Sequence, residues 1–185
     1  MTRGRVALSC ADPPVLVCAD IQAQYLGDEG ITGRDLSRCL ALLELWRAEL
    51  WPVLHLKRIA QAAWFDPASD VTDWVAAFRP RPGEMVFEHP LPSAYSSSRF
   101  ADYMASMKGL HCLMAGCSLD ETILATAVEG FHRGHRFCVV VDAVTCAPPA
   151  IVDADGYRAS MLSAIGKFAG VALSSDLIEA AASDA

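Results

Sequence analysis

The residues of this sequence that could do chemistry follow apolar runs. The first such run, residues 15–19, is immediately followed by Asp20. A continuous apolar run of this length is typical of a buried parallel strand. Open α/β sheets bind ligands at the carboxyl ends of their strands, so Asp20 is a candidate acid, base or ligand-binding carboxylate. The alternative is an aspartate that caps a helix or lies in a loop, and the sequence leaves both open.

A second apolar run, residues 110–115, ends at Gly116, and a helical pattern begins after a short turn. Residues 118–122 would then form a strand-to-helix junction, where backbone N–H groups and the positive end of the helix dipole point at one spot. Such a junction suits an anion, or the oxyanion of an acyl-transfer intermediate. Most junctions of this kind are inert, so both interpretations stay open. Ser118 and Glu121 have the spacing of a capping box at this helix start.

The surrounding elements alternate between strand and helix. Ile123, Ala127 and Phe131 recur at helical spacing, Gly134 ends the pattern, and the apolar run 137–141 follows. A strand–helix–strand unit of this kind pairs its strands in parallel through a right-handed crossover. Further strands are predicted at 53–56, 85–87 and 171–173, and further helices at 35–50, 98–107, 157–168 and 176–182. The alternation predicts a doubly wound parallel sheet with helices on both faces.

Composition narrows the class of protein. The 185 residues carry a net charge of −7, which argues against a nucleic-acid partner, and we expect one globular domain spanning 1–185. No apolar run approaches the about 18 residues of a membrane span, and Pro13 and Pro14 interrupt any signal-peptide core. Seven cysteines without zinc-site spacing indicate reduced thiols in a cytoplasm. The mean hydropathy of +0.27 is high for a soluble monomer and predicts a homo-oligomer.

Two further features allow a functional and a structural interpretation. Trp64 and Phe65 lie in a predicted loop and could wall a substrate pocket, or could cover the edge of the core or an interface. Cys117 lies in the turn before the central helix and could expose a thiol near the site, but a small buried thiol explains it as well.

Several short motifs occur in a fixed order along the chain. They are VLVCADIQAQY at 15–25, SAY at 93–95, AGCSLDETILATA at 115–127, then Gly134 and the pair Asp142-Ala143. In this order and spacing they resemble the DMQNDF, SAF and GVxTDxCVxxTA motifs of the isochorismatase-like, or cysteine hydrolase, superfamily. That superfamily includes isochorismatases, nicotinamidases and N-carbamoylsarcosine amidases. The resemblance covers about residues 14–176.

The resemblance implies a fold and an activity. The fold would be an α/β/α sandwich with a six-stranded parallel sheet, commonly found in oligomers. The activity would be hydrolysis of a small-molecule substrate, which is an amide, a carbamoyl compound or a vinyl ether.

It also implies a catalytic set, and here the chain departs from the pattern. The family uses an aspartate on the first strand, a lysine just before the SAF motif and a cysteine at the first turn of the central helix. Asp20 occupies the first position, His89 the second and Thr122 the third. A threonine hydroxyl needs a dedicated base, and a histidine replaces a permanent charge with a group that titrates near neutrality. No metal motif is visible around His55, so we predict neither a metal nor a cofactor.

The remaining implied site residues would contact the substrate. Ser118 and Thr122 would direct backbone N–H groups at an oxyanion, and the peptide bond between Cys117 and Ser118 is expected to be cis. The side chains that would surround the substrate are those of Gln22, Tyr25, Trp64, Phe65, Tyr95 and Cys117.

Three interpretations of the altered catalytic set stay open. Asp20, His89 and Thr122 could act as carboxylate, base and nucleophile, by analogy with Ser-His-Asp chemistry. Asp20 could instead protonate a vinyl ether, as some family members do without the cysteine, and it would then need a raised pKa. Alternatively, the protein could be a catalytically inactive homologue that serves as a binding or assembly subunit. If the site is intact, the three side chains converge, with Asp20 and His89 in hydrogen-bonding reach; if His89 faces solvent, Glu88 becomes the candidate.

Overall fold

A six-stranded parallel sheet forms the centre of the protein, with strand order β3-β2-β1-β4-β5-β6. The computed structural model describes residues 13–25, 33–59, 73–107 and 109–183. The strands are β1 (Val15–Ala19), β2 (Val53–Arg58), β3 (Met85–His89), β4 (His111–Gly116), β5 (Arg136–Val144) and β6 (Gly170–Ala172). The helices are α1 (Gly33–Ala48), α2 (Ser98–Ser106), α3 (Leu124–His132), α4 (Ala154–Ile165) and α5 (Ser174–Ser183). The predicted α/β fold with a parallel sheet is confirmed.

Two apolar clusters lie on opposite faces of the sheet and create three layers. On one face, Phe100 of α2, Ala127 of α3 and Ile165 of α4 pack against alternate strand residues. On the other, Trp46 of α1 and Leu177 of α5 do so. All five residues of β1 are buried, because helices cover this central strand on both sides. In the described part of the chain, no helix is both long and apolar enough to cross a membrane.

The carboxyl ends of the central strands are tied together by backbone hydrogen bonds. The Cys117 N–H donates to the Ala19 carbonyl at 2.7 Å, and the Thr145 N–H donates to the Gly116 carbonyl at 2.9 Å. The Leu119 N–H then donates to the Thr145 carbonyl at 2.8 Å. These contacts fix the segment after β4 over the end of β1, and so determine where the next helix begins.

Gly116 is the residue that permits this close approach. Its φ is +116°, and a Cβ placed there would lie 2.3 Å from the Ala19 carbonyl oxygen and 2.9 Å from the Ala19 nitrogen. Both atoms belong to the backbone of β1, so neither can move aside without shifting the strand.

We therefore expect Gly116→Ala to lower the free energy of unfolding by about 2 kcal/mol or more, since it combines a clash with a disfavoured φ. Gly166→Ala is the matched control. Its Cβ would meet the Leu162 carbonyl oxygen at 3.4 Å, its φ is −62°, and it should change stability little. Urea denaturation of the two variants measures the difference, and equal losses would contradict the assignment.

Candidate active site

Three fully buried polar side chains meet at the carboxyl edge of the sheet. His89 Nε2 lies 2.8 Å from Asp20 Oδ1. The Thr122 hydroxyl donates to the other carboxylate oxygen, Asp20 Oδ2, at 2.6 Å. All three residues are 0% exposed. The predicted convergence of Asp20, His89 and Thr122 is confirmed, and Glu88 is not needed as a substitute because His89 points inward.

The backbone around Asp20 turns its side chain into this site. The residue directly follows β1, and its φ of 46° lies in the left-handed region, which aspartate tolerates better than most residues. Its N–H donates to the Leu56 carbonyl at 3.1 Å, and its carbonyl accepts from the Gln22 N–H at 2.8 Å. The carboxylate is therefore held by the chain on both sides.

His89, the last residue of β3, is oriented through both ring nitrogens. Nδ1 lies 2.7 Å from the Leu91 carbonyl oxygen, which can only accept, so Nδ1 carries a proton. Nε2 faces the Asp20 carboxylate. Burial opposes the charged imidazolium, but the charge of Asp20 and these hydrogen bonds outweigh it and raise the His89 pKa above its ordinary value.

Thr122 lies in a π-helical turn, Leu119–Ile123, rather than in the predicted α-helix. The Ser118 carbonyl accepts from the Ile123 N–H at 3.1 Å and from the Glu121 N–H at 3.3 Å. The predicted capping box is wrong, because the Ser118 side chain makes no capping hydrogen bond and the Glu121 carboxylate contacts Arg58 instead. π-helical turns frequently occur at functional sites.

The order of the three groups differs from that of a Ser-His-Asp triad. There the histidine lies between the carboxylate and the hydroxyl. Here the carboxylate of Asp20 lies between His89 and Thr122. Asp20 is therefore the group in position to accept a proton from the threonine, while His89 contacts the other oxygen of the same carboxylate.

The cis peptide bond expected between Cys117 and Ser118 is present. Ser118 is 7% exposed, and among the described residues its N–H has no hydrogen-bond acceptor. Cys117 is 1% exposed, so its thiol is buried, in agreement with the structural interpretation of this residue.

The implied substrate contacts divide into two groups. Gln22 is fully buried, and its side chain bonds the Arg58 backbone N–H at 2.8 Å and the Arg58 carbonyl at 3.3 Å. Tyr25 lies close to the site: burial, then the negative charges of Asp20 and Glu121, raise the pKa of its hydroxyl. Gln22 thus supports the end of β2, while Tyr25 stays a candidate for substrate contact.

Tyr95 is located elsewhere. It packs against Phe100 and Phe137, stacks on His135 at a centroid distance of 5.7 Å, and its hydroxyl meets His135 Nδ1 at 2.5 Å. These contacts place it in the core beneath α3. Trp64 and Phe65 lie outside the described residues.

Arg58 is a charged site residue that the sequence did not single out. It is the last residue of β2, in register with His89 on β3, and its side chain is 7% exposed. Its Nη2 lies 3.3 Å from Glu121 Oε1. The predicted strand ended at residue 56, which left Arg58 in a loop. Arg58 could have been found by the same signal that identified Asp20, which is a polar residue at the carboxyl end of a strand.

His55, considered above for a metal motif, belongs to a separate buried ion-pair network. Its Nε2 lies 2.8 Å from Glu84 Oε2, and Arg47 binds the same carboxylate at 2.6 and 2.9 Å. Burial opposes the charge of Glu84, but the hydrogen bonds from Arg47, the Arg81 N–H and His55 hold its pKa at about 2. Within the described ranges, no three His, Cys, Asp or Glu side chains are arranged to hold a metal ion.

A cavity of about 580 Å³ lies at the opposite edge of the sheet, where β4 and β5 begin. Its lining includes His111, Phe131, His135, Arg136 and Lys167. Because parallel strands all begin at this edge, the cavity is separated from the Asp20 site by the length of the strands.

Comparison with known proteins agrees with this architecture. The sequence model of the isochorismatase-domain family matches residues 14–174 of this chain. A comparison with curated proteins gave no match. An isochorismatase-family structure from Chromobacterium violaceum is 22% identical, with a TM-score of 0.83 over 92% of this chain and 94% of that one.

Two more structures are similar. An isochorismatase from Pseudomonas putida is 20% identical, with a TM-score of 0.77 over 88% of this chain and 92% of that one. A cysteine hydrolase from Pseudomonas syringae pv. phaseolicola is 15% identical, with a TM-score of 0.80 over the full length of both chains. The fold is that of isochorismatase-like α/β proteins. The chain belongs to the isochorismatase family of hydrolases.

The raised pKa of His89 predicts a pH-dependent contribution to stability. The folded state holds this proton more tightly than the unfolded chain, whose histidine pKa is about 6.5. The contribution is therefore complete below that value and is lost as the pH rises through the higher folded pKa. Burial is the main cause that lowers the pKa values of His55 and His135. Their contributions to stability are therefore lost as the pH falls, in the opposite direction to that of His89.

A comparison of wild type with His89→Gln isolates the contribution of His89 to stability. The difference in Tm between wild type and His89→Gln should be largest below about pH 6.5 and shrink as the pH rises above that value. His132→Gln removes an exposed histidine of α3 and is the control, for which we expect little difference. A His89→Gln difference that does not change with pH would contradict the assignment.

Proposed function

We propose that the protein hydrolyses a small amide, carbamoyl compound or vinyl ether, with Asp20 as the central proton-transfer group. The observation that carries this proposal is the buried carboxylate contacted on one oxygen by His89 and on the other by Thr122. Family membership supports a hydrolase, and the motif resemblance matches these three residues to the family's aspartate, lysine and cysteine.

For an amide or carbamoyl substrate, Thr122 is the candidate nucleophile. As Oγ1 attacks the carbonyl carbon, its proton passes to Asp20 Oδ2, which lies 2.6 Å away. The carbon–nitrogen bond then breaks, and the same proton passes to the departing amine. Water attacks the resulting threonine ester, giving one proton to Asp20, and the hydroxyl is restored when that proton returns to Oγ1.

His89 would keep Asp20 in place and balance its charge through this cycle. Its raised pKa favours the imidazolium form next to Oδ1, at the position that the motif resemblance matches to the family's lysine. The developing oxyanion would be bound by the N–H groups of Ser118 and Thr122, at the start of the turn that follows β4.

The same observation on His89 supports a second candidate, protonation of a vinyl ether. The proton on Nε2 moves to Asp20, which then transfers it to the alkene carbon of the substrate. Water adds to the oxocarbenium ion and gives one proton to Asp20. The carbon–oxygen bond of the resulting hemiketal then breaks: its hydroxyl proton passes to the departing alcohol, a ketone is left, and the proton on Asp20 returns to Nε2. In this reaction the Thr122 hydroxyl forms no bond to the substrate.

We also propose a cytoplasmic homo-oligomer. The support is the mean hydropathy of +0.27, which is high for a soluble monomer and suits a protein that buries apolar surface between subunits. The six cysteines in the described part of the chain are buried and form no disulfide there, which suits a reducing compartment.

Substitutions at Asp20 and Thr122 test the mechanism. Asp20→Asn keeps the shape and removes the proton transfer, so kcat/KM should fall by about 10³-fold while ligand binding and folding stay nearly unchanged. Thr122→Ala should be equally damaging for amide hydrolysis and mild for vinyl-ether hydrolysis. Thr122→Ser keeps the hydroxyl and is the matched control.

The measurement is turnover of a panel of small amides, carbamoyl compounds and isochorismate by the purified full chain. Activity that Asp20→Asn abolishes supports the proposal. It would be overturned if wild type and Asp20→Asn gave the same background rate on every substrate while a product analogue still bound to the site. That outcome would indicate the non-catalytic binding subunit.

A further inference from the structure

We propose that the cavity at the edge of the sheet where β4 and β5 begin binds a small organic anion, namely an aromatic monocarboxylate. The volume of this cavity is about 580 Å³, within the range of about 300–1,000 Å³ that is typical of small-molecule sites. It lies at the opposite edge from the Asp20 site, so its ligand is distinct from the substrate. The inference therefore does not depend on the proposed hydrolysis.

Basic residues line the cavity, and none of its described lining residues is acidic. Arg136 and Lys167 supply two cationic side chains, and His111 and His135 add two imidazoles. Burial, and then the charge of Arg133, lowers the pKa of His135, so its neutral form is favoured and the fixed charges are the other two. The whole protein has a net charge of −7, so this cationic lining is a local feature that favours an anionic ligand.

The two cationic side chains are available to a ligand. Both are exposed, and neither Arg136 nor Lys167 forms an ion pair with any residue that the structure describes. Arg136 is the first residue of β5, in register with His111 on β4, while Lys167 follows the end of α4. An arginine guanidinium can bind a carboxylate with two parallel hydrogen bonds. A carboxylate therefore meets no competing acidic side chain in the described lining.

Aromatic side chains in the lining indicate that the ligand also carries an apolar ring. Phe131 near the end of α3 and Phe168 after α4 meet edge to face, with ring centroids 5.8 Å apart and an angle of 77°. Phe131 is nevertheless 53% exposed, whereas Phe137 and Cys138 of the same lining are 5% and 8% exposed. A ring that covers Phe131 removes apolar surface from water, at a gain of about 25 cal/mol per Å².

The helix ends at this edge limit the charge of the anion. α3 and α4 both reach the cavity with their C-terminal ends, where the helix dipole is negative. Some of their last carbonyls are already satisfied: the Gly130 carbonyl accepts from the His135 N–H, and the Ile165 carbonyl accepts from the Ala169 N–H, both at 2.9 Å. The N-terminal ends of helices, which favour phosphate, are absent from the described lining. A monoanion therefore fits better than a dianionic phosphate.

The test measures the binding of naphthoate to the full chain by calorimetry. Naphthalenemethanol keeps the ring and lacks the charge, and acetate keeps the charge and lacks the ring. We expect naphthoate to bind at least about tenfold more tightly than either of them. Its preference over naphthalenemethanol should shrink as the salt concentration rises, because exposed charges are screened.

Substitutions locate the binding to the cavity. Arg136→Gln and Lys167→Gln should each weaken naphthoate binding about threefold or more and leave naphthalenemethanol binding unchanged. Arg38→Gln is the matched control, since it removes an exposed arginine of α1 outside the cavity and changes the net charge equally. Phe131→Ala should weaken the binding of both ring-bearing probes several-fold. Its control is Leu50→Ala, which removes an apolar side chain that is 91% exposed and outside the lining.

Four results would overturn the inference. They are no binding of naphthoate to the wild-type chain, equal binding of naphthoate and naphthalenemethanol, tighter binding of naphthyl phosphate than of naphthoate, and an equal loss of naphthoate binding from Arg38→Gln and Arg136→Gln. Calorimetry reads binding without turnover, so each result leaves the proposed hydrolysis untouched.

Sedimentation of the same proteins tests a second copy of the chain as the alternative occupant. We expect the Arg136→Gln and Lys167→Gln proteins to have the same mass in solution as wild type. If these substitutions instead dissociate an assembly of the wild-type chain, the cavity belongs to a subunit interface and the inference is wrong.

Discussion

The candidate site of this protein depends on one buried carboxylate. A charge removed from water costs several kcal/mol unless it is paired and hydrogen-bonded. Asp20 meets that condition through His89 on one oxygen and Thr122 on the other. The two partners lie 69 and 102 residues away in the sequence, so the compensation exists only when β1, β3 and the segment after β4 are all in place.

The order of the strands makes this assembly possible. β1 lies between β2 and β4, and Asp20 therefore emerges at the middle of the carboxyl edge. The close approach of Gly116 to Ala19 draws the end of β4 over β1, and the π-helical turn then brings Thr122 above Asp20. On the other side, Gln22 binds the backbone of Arg58, which fixes the end of β2 beside His89. Backbone contacts thus position each of the charged groups.

Much of the fold could be predicted from periodicity alone, since buried strands such as Val15–Ala19 are continuous apolar runs and the covering helices are amphipathic. The candidate site was harder to predict from the sequence. Asp20 follows from its place after a strand, but His89 and Thr122 were found through a family resemblance, because nothing local indicates that they meet. Arg58 was missed and the Ser118–Glu121 capping box was wrong for the same reason: Glu121 interacts with a residue on a distant strand.

The sequence by itself determined the alternation of strands and helices, the burial of the central strands and the chemical types available at their ends. Those properties depend on residues a few positions apart, where hydrophobic period and backbone preference decide the outcome. Only the tertiary structure decided that the carboxylate lies between the histidine and the hydroxyl, that Tyr95 is in the core, and that Arg58 joins the site. These depend on strand order, register and the direction of individual side chains, which contacts between distant segments fix.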